Sequence, residues 1–507
     1  NVSRSLNRYM EGKIVIRDII ETRAYIGGVW RNGAGEAVDS INPVDGSCVA
    51  TVHHCTRDDV EEAIASACRA QTESGWLDMK AHERAKILHA VGHLIDRHGD
   101  DISRLQTLDT GKTLYETRAL AASAANTFRF YAAALETLED SMTPARGDYL
   151  TFSLHEPIGI VGAITPWNSP IASDAQKVAP ALAAGNAVVL KPAEWTPLVS
   201  LLFARICEQA GVPKGLLSVL PGRGRDIGAA IVEHPGVGKV SFTGGTNTGY
   251  TIARAAAEKL MPISLELGGK SPTIVFEDAD IDLAVAGIMF GIFSSTGQSC
   301  IAGSRLFVHC SIMDAFMERL VSATRALIVG RPDSSDTQVS SMVAHSHRDS
   351  VAAYVEIARS EGADILCGGE IPGGDLSSGA FYLPTILAGL SADSRVLKEE
   401  IFGPVLAVLP FENEEDLIAQ ANDSVYGLAC GIWTEDMRRA WRVARKVEAG
   451  TVWVNTYKQF SISTPFGGWK LSGMGTEKGR EGIRNFQRQK GVYIGMGDAP
   501  IAWARLT

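Results

Sequence analysis

The residue with the clearest chemical potential in this chain is Cys300. Its thiol lies in a run of mostly small residues, Ser294 to Arg305, which a substrate could approach closely. Upstream, Glu266 is an acidic residue inside an apolar segment with the composition of a strand. A thiolate is a strong nucleophile, and burial in apolar surroundings raises the pKa of a carboxyl toward the range useful for a base. Together they predict a nucleophile and its base; the alternatives are a buried structural thiol and a salt-bridged acid.

Three other segments have residue types that could bind a ligand, and each also allows a structural interpretation. Asn168 follows an apolar run between two prolines, so its amide could stabilise an oxyanion or simply form a turn. Lys191 and Glu194 end another apolar run, where they could bind a ribose or form an ordinary surface pair. The turn Gly244–Gly249 precedes a helical pattern and could bind a pyrophosphate, but it lacks the full G-x-G-x-x-G pattern, so a structural turn is the alternative.

These residues lie at the ends of short apolar runs that alternate with helical segments. The first set of predicted strands covers residues 158–164, 187–190, 216–220, 240–242 and 263–267, and the second set covers 273–276, 306–309, 405–409, 430–434 and 451–455. Strands that alternate with helices form parallel sheets, so the sequence predicts an α/β fold with two doubly wound parallel-sheet domains. The glycines Gly268 and Gly269 predict the boundary between them.

Composition and charge narrow the class of protein. The 507 residues carry a net charge of −10 without a cluster of basic residues, which favours small-molecule partners over nucleic acid or an anionic membrane. The longest apolar run, Ala284–Phe293, is shorter than the roughly 18 residues that cross a bilayer. The N-terminal residues lack a signal-peptide core, so we expect a cytoplasmic protein. The eight cysteines have no metal-binding spacing, and no metal site is predicted.

Seven motifs occur in one order along the chain. They are Pro166-Trp167-Asn168, Lys191-Pro192-Ala193-Glu194, Phe242-Thr243-Gly244, Glu266-Leu267-Gly268-Gly269, Gly297-Gln298-x-Cys300, Glu399-Glu400-Ile401-Phe402-Gly403-Pro404 and Pro465-Phe466-Gly467-Gly468. In them the chain resembles the aldehyde dehydrogenase superfamily, in its NAD(P)-dependent hydrolytic class, from about Ala24 to about Phe486. The resemblance implies a Rossmann-like cofactor domain (1–140 and 158–267), a catalytic domain (268–482), and a small β bridging or oligomerisation element (141–157 and 483–507).

The resemblance assigns the chemistry to four residues. Cys300 would attack the aldehyde carbonyl as a thiolate, while the Asn168 amide and the Cys300 backbone N–H stabilise the oxyanion of the thiohemiacetal. After hydride transfer to the nicotinamide, Glu266 would deprotonate the water that hydrolyses the thioester. Lys177 matches a family lysine linked to proton relay. Because Glu266 is present, hydrolysis is favoured over acyl transfer to coenzyme A.

The resemblance also locates the cofactor. The predicted cofactor-binding residues are Ile164, Thr165, Trp167, Lys191, Glu194, Gly224, Gly244, Gly245, Gly249, Leu267, Glu400 and Phe402. Glu194 favours NAD, because its carboxylate accepts hydrogen bonds from ribose hydroxyls and would repel a 2′-phosphate. Use of NADP stays open, since Lys191 could turn toward that phosphate.

Two departures from the family pattern bear on the aldehyde. Ser169 and Gln176 stand where many relatives have large aromatic residues, which predicts a substrate larger or more polar than a short alkanal. The residues expected along the same entrance are Ser173, Asp174, Lys458 and Gln459. The predicted substrate-binding residues are Ser169, Gln176, Ser299, Ile301, Phe460 and Phe466. The segment Gly491–Gly495 resembles the family's bridging strand and predicts a homodimer or homotetramer, because an exposed apolar strand usually pairs.

Three classes of function can be considered for these residues. The first is NAD-linked oxidation of an aldehyde. The second is thiol hydrolysis or acyl transfer at Cys300 without redox chemistry, which would leave the cofactor motifs unexplained. The third is a binding or structural protein on the same scaffold, which would predict damage to Cys300, Glu266 or Asn168; the sequence has all three intact.

Overall fold

The computed structural model describes residues 20–498 and residue 503. The first residues of the predicted cofactor domain, 1–19, and the last of the predicted bridging element, 499–502 and 504–507, lie outside the described residues. Within the described part of the chain, every helix is too short or too polar to cross a membrane.

An eight-stranded sheet forms the first half of the molecule. In spatial order its strands are Val29–Arg31, Ala24–Ile26, Leu217–Val219, Ala187–Lys191, Ile160–Ile164, Lys239–Thr243, Ile263–Glu266 and Gly473–Met474. The strands from Leu217–Val219 to Ile263–Glu266 are all parallel. Ile160–Ile164 comes first along the chain and lies in the middle of these five parallel strands. The next two strands in the chain lie on one side of it, and the last two lie on the other side. A ligand site is expected beyond the carboxyl ends of Ile160–Ile164 and Lys239–Thr243, where this order reverses.

Helices cover this sheet and bury its central strands. They are Arg57–Glu73, Ala81–Arg97, Gly99–Thr110, Leu114–Leu135, Pro170–Ala183, Leu198–Gln209, Ala229–Glu233 and Thr246–Ala257. Every residue of the strands Ile160–Ile164 and Ala187–Lys191 is buried, as expected for parallel strands with helices on both faces. The core between sheet and helices therefore holds the carboxyl ends of these strands in fixed positions.

A seven-stranded sheet forms the second half. Its spatial order is Asp364–Cys367, Thr385–Ala388, Val405–Phe411, Arg305–His309, Pro272–Val275, Ala429–Trp433 and Thr451–Val454. Only Asp364–Cys367 pairs antiparallel with its neighbour. The helices of this half are Ile281–Phe293, Met313–Arg325, His345–Ser360, Arg395–Lys398, Glu414–Asn422 and Met437–Ala444. The predicted fold class, with two doubly wound α/β domains, is confirmed.

Smaller β elements complete the fold. Tyr149–Pro157 pairs antiparallel with Gln487–Gly495 on one side and with Ser141–Thr143 on the other. Two further antiparallel pairs join Ala37–Ile41 to Cys48–His53 and Tyr426–Gly427 to Trp469–Lys470.

The chain returns from the second sheet to the first near its end. The short strand Gly473–Met474 pairs antiparallel with Ile263–Glu266. Next to it, Phe466 and Glu477 exchange two backbone hydrogen bonds of 2.8 and 2.7 Å. This return brings residues 466–478 beside Glu266, far from it in sequence.

Candidate active site

Cys300 follows a strained loop. Ser295, Thr296 and Gly297 have positive φ angles of 57°, 54° and 70°. A Cβ on Gly297 would lie 2.1 Å from the carbonyl oxygen of Gly403, so only glycine fits there. Left-handed backbone at a residue other than glycine costs about 1–3 kcal/mol and persists only where surrounding contacts enforce it. The path of the backbone thus requires the glycine and small residues before Cys300. The same residues also leave room for a substrate.

Asn168 is attached to this loop. Its Nδ2 donates a hydrogen bond of 2.9 Å to the carbonyl oxygen of Gln298, two residues before Cys300. Of the two flanking prolines, Pro170 begins the helix Pro170–Ala183, and the hydrogen bond to Gln298 fixes the direction of the amide. Asn168 and Cys300 line the same cavity. An oxyanion formed beside Cys300 could accept a hydrogen bond from this amide.

Glu266 is the last residue of its strand and is buried. Burial raises the pKa of its carboxyl well above the usual range, and the nearby Glu477 carboxylate adds to this effect. The ammonium groups of Lys177 and Lys478 act in the opposite direction. The prediction that the strand environment raises the pKa of Glu266 is confirmed, and a raised pKa suits a group that must accept and release a proton near neutral pH.

A hydrogen-bond network lies behind Glu266. The Lys177 ammonium donates to Glu477 Oε1 at 2.6 Å and to Ser241 Oγ at 3.0 Å. Gln176 Nε2 donates to Glu477 Oε2 at 2.8 Å, so Gln176 both lines the adjoining cavity and holds the carboxylate. The sequence had no local pattern that marked Glu477, whose place depends on the return of the chain to the first sheet.

The surroundings of the Cys300 thiol disfavour its charged form. Burial raises its pKa to about 12, and the carboxyl groups of Glu400 and Glu266 add to the shift. Lys478 and Lys458 lower it in part. A thiol with a raised pKa needs a base beside it to act as a nucleophile near neutral pH.

A first cavity, which we call the cleft, opens where the strand order of the first sheet reverses. Its volume is about 660 Å³. Eight predicted cofactor residues line it: Ile164, Thr165, Trp167, Lys191, Glu194, Gly224, Gly244 and Gly245. Gly249 instead lies one helical turn deeper, where a Cβ would be 2.7 Å from the Leu267 side chain. Its absent side chain lets the helix pack closely on Leu267.

The cleft has the chemistry of a dinucleotide site. The helix Thr246–Ala257 begins at its wall, and a Cβ on Gly245 would meet no atom within 4 Å, so a phosphate could approach the free N–H groups of the helix. Val232 and Ile252 provide apolar surface for a base, and Glu194 provides a carboxylate. The volume lies within the range of about 300–1,000 Å³ that is typical of ligand pockets.

Lys191, which lines the cleft, also has partners within the protein. Its ammonium is buried and donates to the carbonyl oxygens of Pro192 and Gly222 at 2.7 and 2.9 Å. Burial lowers its pKa to about 8. Sequence reasoning also missed Arg225, a further cation that lines the cleft.

A second cavity, which we call the junction, connects the cleft to Cys300. Its volume is about 210 Å³, and its lining includes Trp167, Gly244, Glu266, Leu267, Cys300, His347, Glu400 and Phe402. Glu400 Oε1 accepts a hydrogen bond of 2.9 Å from the Gly269 N–H, and burial raises the pKa of Glu400 to about 7. The Trp167 and Phe402 rings meet edge to face at 5.2 Å.

Gly268 and Gly269 allow two close contacts in the junction. A Cβ on Gly268 would lie 2.3 Å from Glu400 Oε2, and one on Gly269 would lie 2.3 Å from the Cys300 carbonyl oxygen. Beyond their role as a predicted domain boundary, these glycines let a carboxylate and the Cys300 loop approach the backbone.

A third cavity, which we call the tunnel, reaches Cys300 from the other side. Its volume is about 470 Å³. It is lined by all six predicted substrate residues: Ser169, Gln176, Ser299, Ile301, Phe460 and Phe466. Asn168, Glu266 and Cys300 line both the tunnel and the junction. Two ligands that enter from opposite sides would therefore meet at these three side chains.

Comparison with known proteins identifies the family of this chain. The model of the aldehyde dehydrogenase family matches residues 30–492. A betaine aldehyde dehydrogenase from Staphylococcus aureus, solved in complex with NAD+, is 37% identical, with 97% of this chain and 99% of that chain covered and a TM-score of 0.95. A mutant of the aldehyde dehydrogenase from Bacillus cereus is 37% identical, with 94% and 97% covered and a TM-score of 0.92. The resemblance carried by the seven motifs is thus confirmed, and the chain belongs to the aldehyde dehydrogenase family.

Proposed function

We propose that this enzyme oxidises an aldehyde to the carboxylic acid with NAD as the hydride acceptor, through a covalent intermediate on Cys300. The observation that carries the proposal is the position of Cys300, Glu266 and Asn168 on the walls of both the junction and the tunnel. The cleft fits a dinucleotide, and the Staphylococcus aureus relative was solved with NAD+. NAD, when bound there, supplies the hydride acceptor.

The first steps use Cys300 and Asn168. The sulfur forms a bond to the aldehyde carbon as the thiol proton passes to a base, and the carbonyl oxygen becomes an oxyanion. The Asn168 amide and the Cys300 N–H donate hydrogen bonds to that oxygen, which stabilises the thiohemiacetal. Loss of hydride from this adduct leaves a thioester on Cys300.

Hydrolysis uses Glu266. Its carboxylate takes a proton from a water molecule, whose oxygen attacks the thioester carbon. The carbon–sulfur bond then breaks, which releases the acid and regenerates Cys300. The hydrogen bonds from Lys177 and Gln176 to Glu477, beside Glu266, support a route by which the proton could leave the site.

The test is an assay with NAD, a panel of aldehydes and the full-length enzyme. We expect aldehyde-dependent absorbance of reduced nicotinamide, with one carboxylic acid formed for each NAD reduced. Ester cleavage that needs no NAD, without aldehyde oxidation, would favour the thiol hydrolase. No reaction across a broad panel would favour a binding protein.

Replacing Glu194 with glutamine should shift the cofactor preference toward NADP. The substitution removes a carboxylate that would accept hydrogen bonds from the ribose hydroxyls and would repel a 2′-phosphate. Arg225, a cation that could attract this phosphate, stays in the cleft. A hydrogen bond to a charged group contributes about 1.5–3 kcal/mol, so we expect the ratio of kcat/KM for NADP over NAD to rise by about tenfold or more.

Glu233→Gln is the matched control for cofactor preference. Glu233 also lines the cleft, but its carboxylate pairs with Arg57 at 3.1 Å. Steady-state kinetics with both cofactors should show little change for this variant. An unchanged ratio in Glu194→Gln would contradict the assignment of Glu194 to the ribose.

We also propose that the enzyme assembles as a homodimer or homotetramer through its small β-sheet. The strand Gln487–Gly495 lies at an edge of this sheet and carries exposed apolar side chains, Tyr493 and Ile494. An exposed edge strand of this kind is a template for pairing with another chain. Light scattering that gives the mass of one chain would contradict this assembly.

A further inference from the structure

The tunnel is rich in lysines although the chain as a whole is acidic. The chain has a net charge of −10, yet four lysines line the tunnel: Lys112, Lys177, Lys458 and Lys478. Lys177 pairs with Glu477, and the Lys478 ammonium lies 3.7 Å from the centre of the Phe460 ring. Lys112 and Lys458, which we call the tunnel lysines, make no ion pair with any carboxylate of residues 20–498.

Lys458 is held in place by its neighbours. Its φ angle is 54°, a strained value for a residue other than glycine. The Tyr457 hydroxyl donates to the Ile301 carbonyl oxygen at 2.9 Å, and the Trp453 indole N–H donates to the Gln459 carbonyl oxygen at 2.8 Å. These contacts fix the backbone on both sides of Lys458 and attach it to the Cys300 loop. Strain of this kind is common where a side chain must point into a functional site.

The Lys458 ammonium has a hydroxyl partner. It donates to Ser294 Oγ at 2.8 Å and lies 5.9 Å from the centre of the Phe290 ring. Burial lowers its pKa to about 7, and Lys112 adds to this effect. A cation that is buried with a second cation nearby is stabilised by an anion between them.

Lys112 is more isolated. Its residue is 4% exposed, and the preceding Gly111 has a φ angle of 76° that sets the direction of the chain there. Across residues 20–498, no carboxylate lies within 4.0 Å of its ammonium and no hydrogen bond joins it to another side chain. Burial lowers the pKa of Lys112.

Glu116 is the carboxylate that could have paired with these lysines. Its Oε1 accepts from the Ser295 N–H, and its Oε2 accepts from the Thr113 N–H at 3.1 Å and the Thr113 hydroxyl at 3.0 Å. Both carboxylate oxygens of Glu116 therefore already accept hydrogen bonds, from two backbone N–H groups and one hydroxyl. Glu116 attracts Lys112 and Lys458 from a distance but makes an ion pair with neither.

We infer that the aldehyde carries a negatively charged group, a carboxylate or a phosphate, which Lys112 and Lys458 bind in the tunnel. This inference rests on the proposed oxidation and adds the chemical class of the substrate. Phe290, Phe460 and Phe466 supply apolar wall around a linking chain or ring. Ser169 and Gln176 are the two residues from which the sequence predicts a larger or more polar substrate. Both line the tunnel and leave room for such a molecule.

The test compares aldehydes that differ only in charge. The pairs are succinate semialdehyde and its methyl ester, para-carboxybenzaldehyde and its methyl ester, and glyceraldehyde phosphate and glyceraldehyde. We expect the wild-type enzyme to have a higher kcat/KM for the charged member of at least one pair, by about tenfold or more, as expected for hydrogen bonds to a charged group. The pair with the largest ratio distinguishes a carboxylate from a phosphate.

The variants Lys112→Gln and Lys458→Gln should each lower kcat/KM for the charged aldehyde by about tenfold, mainly through KM. The loss for the neutral partner should be clearly smaller, because it lacks the charged group that the lysines bind, and its continued oxidation shows that the variant is folded. Lys86→Gln, an exposed lysine on the helix Ala81–Arg97, is the matched control.

Two outcomes would overturn the inference. Equal losses for charged and neutral aldehydes would mean that the lysines act on the Cys300 thiolate or on the fold. A wild-type preference for neutral aldehydes in every pair would mean that the tunnel does not select an anion, while oxidation of those neutral aldehydes would leave the proposed function intact. Absence of oxidation with every aldehyde would contradict both.

Calorimetry gives a second readout that needs no turnover. Succinate and terephthalate, the dicarboxylates formed from the first two charged aldehydes, should bind the NAD complex of the wild-type enzyme. Binding should weaken by about tenfold in Lys458→Gln and be unchanged in Lys86→Gln. Equal affinity in both variants would contradict the role of Lys458.

Discussion

Cys300→Ala should abolish aldehyde oxidation while leaving cofactor binding intact. In the proposed mechanism the sulfur forms the covalent bond to the aldehyde carbon, and no other side chain of the junction is a comparable nucleophile in the described residues. Loss of the nucleophile should lower kcat by at least about 10³-fold. The measurement is the rate of NAD reduction, with NAD affinity followed by calorimetry. The affinity should change little, because Cys300 does not line the cleft that holds most of the dinucleotide.

Cys310→Ala is the matched control. Cys310 is a free, exposed cysteine ten residues along the chain and lies outside the three cavities. Its replacement should leave the rate unchanged. Oxidation that persists in Cys300→Ala at a rate near that of the wild-type enzyme would rule out the covalent route.

Glu266→Gln should separate hydride transfer from hydrolysis. Glutamine is close in shape but cannot take a proton from water, so the thioester on Cys300 should accumulate. We expect a rapid burst of reduced nicotinamide of up to one per active site, followed by turnover that is about 10²–10⁴-fold slower than in the wild-type enzyme. Stopped-flow absorbance measures both phases. Deacylation of the variant should become faster as pH rises, because hydroxide replaces the missing base.

Glu258→Gln serves as the control for this experiment. Glu258 is exposed at the end of the helix Thr246–Ala257, away from the cavities. Its kinetics should match those of the wild-type enzyme. A Glu266 variant that shows neither burst nor turnover would assign Glu266 to the attack step, as the base that takes the Cys300 proton, instead of to hydrolysis.

The sequence could mark the candidate reacting groups because they lie in local motifs. Glu266 ends an apolar strand, Asn168 follows one and Cys300 follows an apolar helix, and the structure brings all three to one junction. The glycine motifs were informative for the same reason, since a turn or close approach constrains a few adjacent residues. Gly297 and Gly269 are examples, each with a carbonyl oxygen where a Cβ would stand.

Groups that depend on distant parts of the chain were not predicted. Glu477 and Lys478 reach Glu266 only because Gly473–Met474 joins the first sheet, and this pairing is too short to leave a pattern in the sequence. Lys112 follows the glycine that ends the helix Gly99–Thr110 and lines the tunnel beside residues from much later in the chain. The burial of the Lys191 ammonium on two carbonyl oxygens likewise depends on a loop that packs against it from a later part of the chain.

One element was missed despite a readable signal. The strands Ala24–Ile26 and Val29–Arg31 form a hairpin around Gly27 and Gly28, and they extend the first sheet at its edge. A glycine pair between two short apolar segments is a typical hairpin signal. The surrounding polar residues and the shortness of the strands obscured it.

The most direct test of the covalent mechanism is the mass of the trapped enzyme. Glu266→Gln is mixed with NAD and an aldehyde that the wild-type enzyme oxidises, quenched in acid, and analysed intact and after digestion. The mechanism predicts an added mass equal to the acyl group, located on Cys300, and no addition when NAD is omitted. Oxidation of the aldehyde with Cys300 unmodified throughout the burst, or an acyl group on another residue, would contradict it.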